Sequence, residues 1–77
     1  MTTEAQLIQK LSDISDLVQG TFSFKRIGRA RYWEVNLIVP DLGLNITNQN
    51  FSLKTALEYI KDAYYKFLKI NTINSNV

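Results

Sequence analysis

The sequence predicts an α+β fold, a two-layer α-β-β-β-α sandwich in which a three-stranded antiparallel meander carries two helices packed on one face. Apolar residues recur at helical spacing in two segments, 7–18 and 53–68, and alternate at strand spacing between Phe22 and Ile46. Two turn signals divide the alternating segment, and the strands they define keep one apolar face in common.

Thr3-Glu4-Ala5-Gln6 reads as a capping box, the Thr3 hydroxyl accepting from the Gln6 backbone N–H while the Gln6 side chain reaches back. Leu7, Ile8, Leu11, Ile14 and Val18 then form one stripe, with Gln9, Lys10, Asp13 and Asp16 off it. Ser12, Asp13, Ser15 and Asp16 compete for backbone hydrogen bonds and weaken the second half of this helix. Gly20 is expected to end it by taking the left-handed conformation.

Strands are expected over about 21–27, 31–39 and 44–47. Gly28-Arg29 reads as a two-residue type II′ turn, which needs positive φ at its first position. It sets Phe24 opposite Trp33, Phe22 opposite Val35 and Arg26 opposite Arg31. Pro40-Asp41-Leu42-Gly43 reads as a four-residue loop that sets Val39 against Leu44 and Leu37 against Ile46. The inward set is then Phe22, Phe24, Trp33, Val35, Leu37 and Val39. The outward set, Ser23, Lys25, Tyr32, Glu34, Asn36 and Ile38, is mostly polar, as a one-sided antiparallel sheet requires. The third strand is short, and Asn48-Gln49-Asn50 reads as a polar connector.

Ser52 is a natural N-cap for the last helix. Leu53, Ala56, Leu57, Ile60, Ala63, Tyr64, Phe67 and Leu68 form its stripe, and the Lys54/Glu58 and Asp62/Lys66 pairs, four apart, mark its solvated side. Residues 71–77 have no period and read as a flexible C-terminal tail to a single domain over 1–70.

Composition narrows the function classes. The 77 residues contain no Cys and no His, which removes thiolate chemistry, the commonest general base and the commonest metal ligand together. Paired carboxylates, Asp13 with Asp16 and Glu58 with Asp62, stand among solvated residues with no nucleophile beside them. The expectation is a non-catalytic protein without cofactor, metal or small-molecule substrate. No apolar run approaches the roughly 20 residues needed to span a bilayer, and Glu4 stands where a signal peptide would be basic, so a cytoplasmic protein is expected. The net charge is +2, unevenly placed: in residues 1–19 Lys10 against Glu4, Asp13 and Asp16 leaves −2, while 20–47 and 48–77 each carry +2.

Lys25, Arg26, Arg29 and Arg31 put four cations within seven residues around a tight turn. Guanidinium groups bind phosphate bidentately, so this tip, with Lys54, is the candidate nucleic-acid contact. The competing reading is that charge keeps a hairpin tip soluble and its edges unpaired. Tyr32 on the open sheet face beside Lys25, and Tyr59 and Tyr65 off the helix stripe, are candidates for stacking on bases or for a protein contact, and Ile38 on the open face is a candidate for a protein contact. The competing and commoner reading of such tyrosines is that they are amphipathic rim residues of a small core.

The order α-β-β-β-α resembles the double-stranded RNA-binding domain. The likeness is carried by Ser52-Leu53-Lys54-Thr55-Ala56-Leu57, where Ser52, Lys54 and Ala56 match that family's Ser-Lys-Lys-x-Ala-Lys opening of its last helix. Leu53 and Leu57 stand where the family has phosphate-binding lysines, and the turn at Gly28 lacks its Gly-Pro-x-His pattern. The resemblance implies the fold more than RNA binding. The expected function is a small binding domain that contacts nucleic-acid phosphate through a basic β-hairpin tip. The alternative is a protein-interaction module, either a phage or mobile-element inhibitor of a host defence protein or a homodimer joined through an edge strand or the open sheet face.

Overall fold

The capping box forms as its residues require. In the computed structural model, which describes residues 2–29 and 31–75 with side chains as far as Ile70, the Gln6 N–H donates to Thr3 Oγ1 at 3.2 Å and the Thr3 N–H donates to Gln6 Oε1 at 2.8 Å. Helix α1, Glu4–Leu17, buries Leu7, Leu11 and Ser15 and half-buries Ile8 and Ile14, and its C-cap residue Val18 is half-buried after them. It ends in a Schellman arrangement, the Gly20 N–H donating to the Ser15 carbonyl at 2.8 Å and the Gln19 N–H to the Asp16 carbonyl at 3.4 Å. The left-handed residue is Gln19, φ 55°, rather than the expected Gly20. Gly20 serves a different need, since a Cβ there would stand 2.6 Å from the Ile38 carbonyl oxygen.

Strands β1 (Thr21–Ile27), β2 (Tyr32–Val39) and β3 (Leu44–Asn50) form an antiparallel sheet in that order. The β2–β3 turn is a single 3₁₀ turn, Pro40–Leu42, closed by Gly43 at φ 64°. It sets Val39 opposite Leu44 and Leu37 opposite Ile46, as the loop length predicts.

The β1–β2 connection differs. The loop holds four residues, 28–31, with the Arg31 N–H donating to the Ile27 carbonyl at 2.9 Å and Arg31, not Gly28, in the left-handed region at φ 56°. The register moves by two: Phe22 faces Leu37, Phe24 faces Val35, and Arg26 faces Trp33 instead of Arg31. Two is even, so every side chain keeps its expected face. Electrostatics favours the longer loop, because the tighter turn opposes two arginines whereas the observed register opposes Lys25 to Glu34. Tyr32 accordingly faces Ile27, not Lys25.

β3 is also longer than expected. Asn48, Gln49 and Asn50 pair with Val35, Glu34 and Trp33 rather than forming a connector. Pairing with β2 outweighs their turn-forming composition, and Gln49 Nε2 adds a cross-strand bond by donating to Glu34 Oε1 at 3.0 Å; just before them Thr47 Oγ1 donates to Asn36 Oδ1 at 2.7 Å.

Asn50 Oδ1 accepts the Ser52 N–H at 3.0 Å, and Ser52 Oγ accepts the Thr55 N–H at 3.3 Å, which starts α2, Leu53–Ser75. The helix continues past Ile70 through Ser75. The side chains of the expected tail, 71–77, lie outside the described residues, as do Asn76 and Val77 altogether. α2 packs on β2 and β3, and α1 lies beside it over β1, giving the expected two layers. Leu7, Leu11, Val35, Leu37, Leu57 and Ile60 are fully buried between them.

Candidate nucleic-acid interface at the cationic end

Chain direction decides what gathers at each end of the sandwich. β1 runs toward the 28–31 loop and β2 away from it, β3 returns to that end, and α2 begins there. α1 leads directly into the start of β1, so its N-terminus lies at the same end. Both helices therefore point their N-termini, the positive ends of their dipoles, toward the hairpin tip.

The tip carries Arg29 and Arg31, both exposed, in the loop itself. Arg26, also exposed, is one residue from the end of β1 on the helix side. Lys54, half-buried, occupies the first turn of α2, four residues after Asn50, whose strand partner Trp33 is also the partner of Arg26. Four of the expected cations thus share one end. The acidic residue in the first turn of α1 there is Glu4.

Lys25 is placed differently. Its Nζ lies 3.3 Å from Glu34 Oε2, the only ion pair among the described residues. Hydrogen bonding from Gln49, then from Lys25, holds the Glu34 carboxyl below its ordinary value. Lys25 is therefore part of a cross-strand ladder with Glu34 and Gln49, while Arg26, Arg29, Arg31 and Lys54 have no carboxylate within ion-pair distance among the described residues.

On the open face of the same end, Tyr32, Gln49, Asn50 and Phe51 line a cleft of about 390 Å³. Phe51 is 77% exposed, an unusual position for a phenylalanine in a small domain. Sequence reasoning missed it, although Phe51 follows Gln49 by two and so continues the open face of β3. The other aromatic and apolar candidates lie elsewhere. Ile38, 38% exposed, is at the opposite end of the sheet facing Thr21 and Asn45. Tyr59 stands beside β3. The Tyr65 ring packs edge-on to Tyr64 at 5.7 Å with Lys10 Nζ from α1 at 5.3 Å from its centroid, so it joins the two helices.

Among the described residues, no helix is long and apolar enough to cross a membrane, and no group of three or more Asp or Glu stands together in a way that would hold a metal ion. Compared with protein-family models, curated proteins and solved structures, the chain gives no match.

Proposed function

We propose that this protein is a non-catalytic nucleic-acid-binding domain. Arg26, Arg29, Arg31 and Lys54 take the phosphates, and Tyr32 and Phe51 stack an unpaired base beside them. The observation that carries the reading is Arg31 at φ 56°. An L-residue in the left-handed region costs on the order of 1 kcal/mol, and glycine would occupy the position without strain. A loop that keeps arginine there, beside two further guanidinium groups without carboxylate partners, has the character of a strained functional position. The two helix N-termini directed to the same end add to the attraction for anions.

Fluorescence anisotropy of labelled single-stranded and duplex RNA and DNA, titrated over salt, tests the reading. Four phosphate contacts to a single strand give a slope of log affinity on log salt of about −3, whatever the sequence. Single strands should bind more tightly than duplexes, and Phe51→Ala should remove that preference while leaving the slope in place. Absence of binding to every one of these at low salt overturns the proposal.

A further inference from the structure

We propose that two copies of this chain pair antiparallel through β3, forming a continuous six-stranded sheet with the two α2 helices side by side across a two-fold axis. β3 is an edge of the sheet, and alternate N–H and C=O groups along it point away from β2. Exposed edges are ordinarily blunted by lysine, proline or a bulge. The other edge, β1, carries Lys25 and Arg26, whereas Leu44–Asn50 contains no charge and no proline over seven residues.

Beside this unprotected edge runs a groove of about 410 Å³ to which β3 contributes Leu44 and Ile46 with the polar Asn45 and Thr47, and α2 contributes Tyr59, Ala63, Phe67 and Ile70 with Lys66. Tyr59 and Ile70 flank Ala63 and Phe67 of the core stripe at spacings of four and three, so the apolar face of α2 continues past the core toward the open edge of β3. Tyr59 is 52% exposed and Ile70 50%, although each lies next to the groove rather than on the solvated side.

Dimension and charge identify the occupant as a second copy. Strands in a sheet lie about 4.8 Å apart, and α2 rests on both β2 and β3, so pairing β3 with its mate sets the two α2 axes about 10 Å apart. Helices pack at about 8–10 Å, so one operation closes the edge and covers the exposed Tyr59 and Ile70 of both copies. Asp62 and Lys66, one helical turn apart, line a neighbouring cleft with Tyr59 and the small Ala63, on the flank of α2 next to this contact. A two-fold axis passing near Ile46 and Ala63 brings Asp62 of each copy toward Lys66 of the other, a self-complementary arrangement that an isologous interface requires. Pairs whose numbers sum to an even value keep Leu44 and Ile46 on the helix side of both copies.

Sedimentation equilibrium from low-micromolar to near-millimolar concentration tests the pairing. The wild-type chain should sediment at twice its 8.9 kDa mass. Tyr59→Lys combined with Ile70→Lys should give the single-chain mass with an unchanged far-UV spectrum. Asp62→Lys should weaken association on the order of tenfold, by opposing two lysines twice, and adding Lys66→Asp should restore it. A wild-type chain that stays monomeric throughout overturns the inference. So does a dimer indifferent to the α2 substitutions, or a charge swap that fails to restore association.

Discussion

Lys25 Nζ on β1 lies 3.3 Å from Glu34 Oε2 on β2, and the other Glu34 oxygen accepts from Gln49 on β3. One carboxylate thus ties the three strands together across the open face. Because Gln49 and Lys25 favour its charged form, Glu34 binds its proton less readily folded than unfolded. The resulting stability is fully present above the unfolded carboxylate value of about 4.3, and is lost as pH falls through the lower folded value. Urea midpoints measured from pH 7 to pH 3 should decline through this window, and Glu34→Gln should flatten that part of the decline. An unchanged acid limb in the Gln variant would remove Glu34 as a source of it.

Arg31→Gly separates stability from binding. Glycine relieves the left-handed strain at φ 56° and should raise stability by about 0.5–1 kcal/mol in a urea titration. The same substitution should weaken nucleic-acid binding and reduce the salt slope by about 0.7. Lys25→Ala should change the slope less, since Lys25 is engaged by Glu34. Equal losses from the two variants would contradict the assignment of roles around the hairpin.

The end of α1 gives two neighbouring substitutions opposite signs. Gly20→Ala drives a Cβ to within 2.6 Å of the Ile38 carbonyl, a backbone atom that moves only with the sheet, and should cost about 1–3 kcal/mol. Gln19→Gly removes a left-handed penalty and should stabilise by about 0.5 kcal/mol. Denaturant titrations of both variants check the pair. A tolerated Gly20→Ala would show that α1 and β2 are not in close approach there.

Leu57 is fully buried where α2 meets the sheet, beside Leu37 and Val35. Leu57→Ala should cost about 2–5 kcal/mol through the lost transfer energy and the cavity left behind. A domain of this length has of order 5 kcal/mol in total, so the variant should be largely unfolded by circular dichroism near 37 °C. Leu17→Ala, at a residue 83% exposed, should be close to neutral in the same assay.

Local chemistry made much of the fold legible. The Thr3/Gln6 box, the Ser52 cap, the loop from Pro40 to Gly43 and the faces of the strand residues from Phe22 to Ile46 follow from contacts within a few residues or from a period of two or 3.6. The cations of the hairpin could be read off the chain, but their surroundings could not. A two-residue turn places Arg26 opposite Arg31, yet it lies opposite Trp33, because choosing between a two- and a four-residue loop depends on which partners each register brings together, here Lys25 with Glu34. The strand pairing of Asn48–Asn50 and the exposure of Phe51 likewise depend on how far β2 extends alongside them.

By itself, then, the sequence determined the element types, their order and their apolar faces, since periodicity and caps act over short range. Only the tertiary structure decided the register of the first hairpin, the use of Gly20 as a close-contact residue, the separation of Lys25 from the other cations and the groove along β3. Each of these is a relationship between residues distant in the chain, where competing pairings differ by a few contacts and the packed whole selects among them.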